Sequence, residues 1–148
     1  MRLTAFSDYC LRVLIYVGAK EDGLSTITEI AESYSVSRNH LMKVVYRLGQ
    51  LGYLETVRGK NGGLRLARRP EDIRLGELIE RTEEDWTLVE CFQPGNRNCR
   101  IGPSCVLRGV LGEALAAFVA TLNRYTLADL VAPRGELARL LDLPTTRQ

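Results

Sequence analysis

Three of the four cysteines in this 148-residue chain, Cys91, Cys99 and Cys105, fall in one short stretch with the spacing C-x7-C-x5-C. Three thiols cannot all pair with one another. The residues between them include Pro94, Gly95, Asn96, Asn98, Gly102 and Pro103, the composition of an irregular loop. In a reducing compartment, cysteines clustered on such a loop serve as metal ligands or redox sensors rather than as a structural disulfide. Soft thiolates suit an iron-sulfur cluster or zinc, and the spacing departs from the tight C-x2-C pairs of common zinc knuckles. Two readings stay open at this point: a cluster-bearing sensor, and a zinc-stabilised module whose basic face binds nucleic acid without switching. Cys10 lies apart, within an apolar helical pattern, and reads as a buried, inert thiol.

A second set of residues suits DNA. The net charge of +2 hides a strong segregation of sign. Residues 34–70 hold eight bases, Arg38, Lys43, Arg47, Arg58, Lys60, Arg65, Arg68 and Arg69, against the single acid Glu55; residues 71–90 hold eight acids against Arg74 and Arg81. The basic stretch is a candidate phosphate-contacting surface. Arg38, Asn39 and His40 stand at the start of a helix, where a recognition helix meets base edges, while Ser37 and Lys43 suit phosphates and Arg47 is a further DNA-binding candidate. A turn of Arg58, Gly59, Lys60, Asn61 and Gly62 suits the minor groove or the backbone.

These groups need elements to hold them. Leu11, Val13, Leu14 and Val17 predict a first helix over 7–18, and Thr26 or Thr28 would cap a short helix bearing Ile27, Ile30 and Ala31 that ends near Tyr34. Ser37 would cap a third, with Leu41, Val44, Val45, Leu48 and Leu51 at helical period, closing at Gly52. Alternating runs at 54–57 and 64–67 flank the glycine-rich turn as a hairpin, and a helix over 75–83 follows. The order is that of a winged helix-turn-helix. Beyond the cysteine loop, residues 104–124 lack proline and carry Leu107, Leu111, Leu115, Phe118 and Leu122 three or four apart, with a second stripe of Val106, Val110, Ala114 and Ala117. Such a helix, roughly 30 Å long at about 1.5 Å per residue, outruns what a small winged domain can cover and calls for a second subunit. The fold class is mainly α with a small β-hairpin wing: a winged helix-turn-helix domain plus a long C-terminal dimerisation helix. Residues 1–80 form the DNA-binding domain, 81–105 the acidic helix end and cysteine loop, and 104–148 the dimerisation helix and tail.

Other function classes find little support. No Ser/His/Asp or Cys/His arrangement and no phosphate-cradling glycine loop is discernible, so an enzyme is not expected. No run reaches the roughly 18 apolar residues of a membrane span, and Asp8 interrupts the N-terminus before a leader could form. A cytoplasmic protein without a membrane partner is expected.

Together the two halves resemble the Rrf2 (BadM) family of regulators, and most closely its nitric-oxide-sensing repressors. The resemblance rests on Met1-Arg2-Leu3-Thr4, the wing Arg58-Gly59-Lys60-Asn61-Gly62-Gly63, Glu90-Cys91-Phe92 leading to Cys99, Ile101, Pro103 and Cys105, and the run Tyr125-Thr126-Leu127-Ala128-Asp129-Leu130. It covers nearly the whole chain. It implies a homodimer that binds a palindromic promoter operator and represses genes for nitric-oxide detoxification, releasing DNA when nitric oxide attacks an iron-sulfur cluster, 4Fe-4S in preference to 2Fe-2S. A sensor of cluster status or redox state is the alternative within the same family. Three cysteines leave one ligand wanting. Some members supply a histidine shortly after the third cysteine, where this chain has Val106, Leu107 and Arg108. The resemblance implies Asp8 instead, donated by the partner subunit, with Arg12 one turn on and spaced to orient the carboxylate.

Overall fold

The computed structural model describes residues 1–144. The Thr4 hydroxyl accepts from the Ser7 N–H (3.2 Å) and opens α1 (Ala5–Ala19). Cys10, Val13, Leu14 and Val17 turn inward from it and form the centre of the core. Two residues later the chain must turn, and Lys20 ties the turn down by donating to the Leu24 carbonyl (2.7 Å) and pairing with Glu29 (3.1 Å).

Helix α2 (Ile27–Tyr34) is capped by Thr26 rather than Thr28, because Glu29 at the third helical position returns a hydrogen bond to the Thr26 N–H and completes a capping box. Ser35, at φ +54°, reverses the chain into α3 (Arg38–Gln50), which buries Leu41, Val44, Val45 and Leu48. The end of α3 is a Schellman turn: the Tyr53 N–H bonds the Leu48 carbonyl (2.9 Å) and the Gly52 N–H the Gly49 carbonyl (3.1 Å), with Gly52 at φ +77°.

Strands β1 (Leu54–Val57) and β2 (Gly63–Leu66) pair antiparallel, Leu54 opposite Leu66 and Val57 opposite Gly63. The second strand starts one residue earlier than its alternation suggests. Ser25 bridges to Leu64 through two backbone bonds (3.0 and 2.7 Å), and a Cβ at Gly63 would stand 2.7 Å from the Ser25 carbonyl oxygen. Only glycine lets the base of the wing press against the turn before α2.

Helix α4 (Leu75–Thr82) buries Leu75, Leu78 and Ile79. The segment that follows contains short 3-10 turns at Glu90–Phe92 and Gly102–Ser104, and the extended backbone of Cys105 (φ −77°, ψ 102°) separates the second from α5 (Val106–Leu122), which starts later than the expected 104. Not one residue of α5 is buried; Val106, Leu107 and Val110 are 78%, 59% and 53% exposed. The Asn123 side chain at its end accepts from the Glu77 N–H (2.9 Å) and rests on Gly76, where a Cβ would collide with it.

The chain then returns to the winged core. The Leu127 N–H bonds the Ile73 carbonyl (2.9 Å), and α6 (Leu127–Val131) and α7 (Arg134–Leu140) lie against α1. Leu127, Val131, Leu141 and Leu143 complete the core, while Arg134 donates to the Gly18 carbonyl (3.3 Å) and Ser33 to that of Leu141 (3.1 Å). The winged helix-turn-helix expected from the sequence is present.

Candidate metal centre and nucleic-acid interface

Cys91 and Cys105, half-buried, and Cys99, exposed, line one cavity of about 240 Å3 together with Asn96, Arg97, Gly102, Pro103 and Arg108. All three thiols are free. The loop is shaped by its own polar groups: the Asn96 side chain donates to the Glu90 carbonyl (3.1 Å) and accepts from the Asn98 N–H (3.1 Å), and Gly102 N–H bonds the Cys99 carbonyl (3.0 Å). Cys105 is the last residue before α5. Among the described residues of one chain, no group of three Cys, His, Asp or Glu side chains converges on a single ion position. An iron-sulfur cluster makes no such demand, because its protein ligands are divided among two or more irons. The donor set, soft thiolates around a common space, fits that group.

Asp8 is not part of that cavity in its own chain. It sits half-buried in the first turn of α1, its carboxylate 2.9 Å from the Arg12 guanidinium one turn on. Nearby, Glu83 accepts from both the N–H (2.7 Å) and the hydroxyl (3.0 Å) of Thr4, and the buried hydroxyls of Ser7 and Thr82 share a hydrogen bond (2.8 Å). The start of α1 is therefore moored to the end of α4, from which the acidic segment runs to Cys91. Cys10 is fully enclosed, and burial pushes its thiol up to about 12 against the opposing charge of Arg47. It does not line the cavity of the other three cysteines.

Ser37, Arg38, Asn39 and His40 stand exposed at the start of α3, with Lys43 and Arg47 exposed further along. Ser37 occupies the cap position, yet its hydroxyl makes no capping bond. That leaves it and the first-turn N–H groups open to a phosphate. Arg58, Gly59, Lys60 and Asn61 form the exposed tip of the wing, closed by Gly62, where a Cβ would collide with the Val57 carbonyl. Not every base of the stretch is free: Arg65 pairs with Glu55 across the hairpin (3.0 Å), Arg69 with Asp72 (2.9 Å), and Arg68 turns back onto α3. Tyr46, 69% exposed, and Gln50 lie on the same face as Asn39 and Lys43, opposite Leu41, Val44 and Leu48. Attention to the helix start alone passes over them; the 3.6-residue period reveals them.

The model of the Rrf2 family, described as an iron-dependent transcriptional regulator, matches residues 3–133. The HTH-type transcriptional regulator NsrR of Bacillus subtilis (strain 168) is 54% identical over 144 residues, spanning 97% of this chain and 99% of that protein. NsrR of Shouchella clausii is 46% identical over 149 residues, the full length of both. Among solved structures, CymR, the global cysteine regulator of B. subtilis, superposes with a TM-score of 0.73 at 23% identity over 90% of this chain and 98% of that one. IscR of T. potens gives 0.73 at 21% identity over 100% and 94%. These two likenesses concern the fold.

Proposed function

We propose, since the chain belongs to the Rrf2 family of transcriptional regulators, that it is a homodimeric repressor whose hold on a palindromic promoter operator depends on an iron-sulfur cluster and is lost to nitric oxide. It is a transcription regulator and not an enzyme. Cys91, Cys99 and Cys105 would hold the cluster, 4Fe-4S in preference to 2Fe-2S, with Asp8 of the partner subunit as fourth ligand. Bound there, the group would supply iron open to nitric oxide at its carboxylate-ligated corner. Arg97 and Arg108 in the cavity wall would offset the negative charge that thiolate ligands bring.

The protein's own residues would carry the signal outward. Arg12 orients the Asp8 carboxylate, and the Thr4–Glu83 and Ser7–Thr82 bonds make the position of α1 depend on the root of the cysteine loop. A loop released from its ligands would loosen α1, which packs directly on α3. Arg38, Asn39 and His40 would read base edges, Ser37, Lys43 and Arg47 would hold phosphates, and Arg58 through Gly62 would engage the adjoining groove. Val106, Leu107 and Val110 would be covered by the same helix of a second subunit.

The observation that carries this reading is the shared cavity of the three cysteines at the foot of an apolar helix with no buried residue. The test is metal and acid-labile sulfide analysis of anaerobically purified protein, followed by operator binding before and after nitric oxide. Iron and sulfide, with affinity lost on treatment, are expected. Zinc without sulfide, or unchanged affinity, overturns the sensor.

A further inference from the structure

Arg68 leaves the end of the wing and folds back against the C-terminus of the reading helix. Its Nε donates to the Gly52 carbonyl (3.1 Å) and its Nη2 to that of Leu51 (3.3 Å), while the guanidinium lies 4.7 Å from the centre of the Tyr53 ring. The Leu51 and Gly52 carbonyls lie at the exit of α3, where intrahelical donors have run out and the helix dipole is negative. A planar cation with several donors in a fork satisfies both carbonyls and covers an aromatic face at once. Beside it the Ala67 N–H bonds the Tyr53 carbonyl (3.0 Å), and Tyr53, only 1% exposed, leads straight into β1. One side chain thus joins the end of α3, the entry to the hairpin and its exit.

We propose that Arg68 is a positioning residue for DNA recognition: it fixes the angle between α3 and the wing, and it touches no phosphate although it belongs to the basic stretch. The proposal rests on the DNA-binding reading above. Arg38, Lys43 and Arg47 project from α3 and Arg58 and Lys60 from the wing tip. The two groups engage one duplex together only when their relative orientation is set, and setting it before contact removes that cost from binding. Non-specific attraction to phosphates, by contrast, depends on charge and tolerates a loose angle.

The test uses the full-length cluster-bearing dimer, a duplex selected from a random library by the unaltered protein, and a scrambled duplex, with affinities measured across a salt series. Arg68→Met should weaken binding to the selected duplex by about tenfold, as expected for losing hydrogen bonds from a charged group. Binding to the scrambled duplex and the slope of log K against log salt should not change, nor should helix content or dimer mass. Arg68→Lys, which keeps charge and stem but loses the fork, should show the same selective loss. Arg58→Ala should lower the slope by about 0.9 on both duplexes. A slope reduced to the same extent by Arg68→Met would make Arg68 a phosphate contact and overturn the proposal; so would unaltered affinity in Arg68→Lys, which also decides the matter if the methionine variant does not fold. An unaltered protein that selects no duplex overturns the DNA-binding reading itself.

Discussion

The rings of Tyr9 and His40 stack, with centroids 6.3 Å apart and planes 24° from parallel. Tyr9 belongs to the first turns of α1 and His40 to the start of α3, so the stack joins the helix that carries Asp8 to the helix proposed to read DNA. Arg12 extends the contact: its guanidinium pairs with Asp8 and lies 6.0 Å from the Tyr9 ring and 5.7 Å from that of Tyr34. Two side chains, Arg12 and Tyr9, thus connect the Asp8 carboxylate to His40, the residue proposed to read bases.

Replacing Tyr9 by Ala should therefore lower operator affinity of the cluster-bearing protein by about two- to tenfold, the range expected for an aromatic pair, while Tyr9→Phe should retain it. Fluorescence anisotropy with labelled operator measures both. Equal affinity in the Ala variant would show that the stack is incidental.

Helix α5 invites a direct test. Leu107→Glu together with Val110→Glu places two charges on surfaces that a second subunit is proposed to cover, and burying unpaired charge is costly. Sedimentation should report a monomer of unchanged helix content, with operator binding lost because the proposed palindrome needs two reading helices at fixed spacing. A dimer of ordinary mass would place the interface elsewhere.

Asp8→Ala should leave three thiolate ligands and an exposed iron corner. The cluster should assemble with an altered visible absorption spectrum and decay faster in air, whereas Cys99→Ala should purify nearly free of iron. An Asp8→Ala spectrum and lifetime matching those of the unaltered protein would remove Asp8 from the ligand set.

Cys10 should resist alkylation. With its thiol pushed up to about 12 by burial, its thiolate is scarce at pH 8, and the core excludes the reagent. Iodoacetamide applied to the metal-free protein should modify Cys91, Cys99 and Cys105 and reach Cys10 only in denaturant, as peptide mass mapping would record.

The sequence discloses most of what is local. Helical period alone locates the inward faces of α1 and α3, and turn chemistry locates the wing. The Thr26 cap is legible too once Glu29 is weighed as its reciprocal partner. What stays hidden is long-range. Nothing local in α6 or α7, five and seven residues long, announces that Leu127 bonds Ile73 or that Leu141 receives Ser33 across more than a hundred residues. The basic stretch likewise reads as uniform, although Arg65 and Arg69 are engaged with acids and Arg68 with backbone. The cysteine trio is recognisable by spacing, but Asp8, the ligand proposed to complete it, does not line the cavity of the three thiols in its own chain.

The return of the C-terminal segment to α1 also constrains the order of events during synthesis. Leu127, Val131, Leu141 and Leu143 fill the space around Val13, Leu14 and Val17, so the reading head lacks part of its core until nearly the whole chain has emerged from the ribosome. A nascent or prematurely terminated chain would carry every residue proposed to face DNA and yet lack the rigidity to use them. Fragments of this regulator should be harmless bystanders at the promoter, not competitors for it.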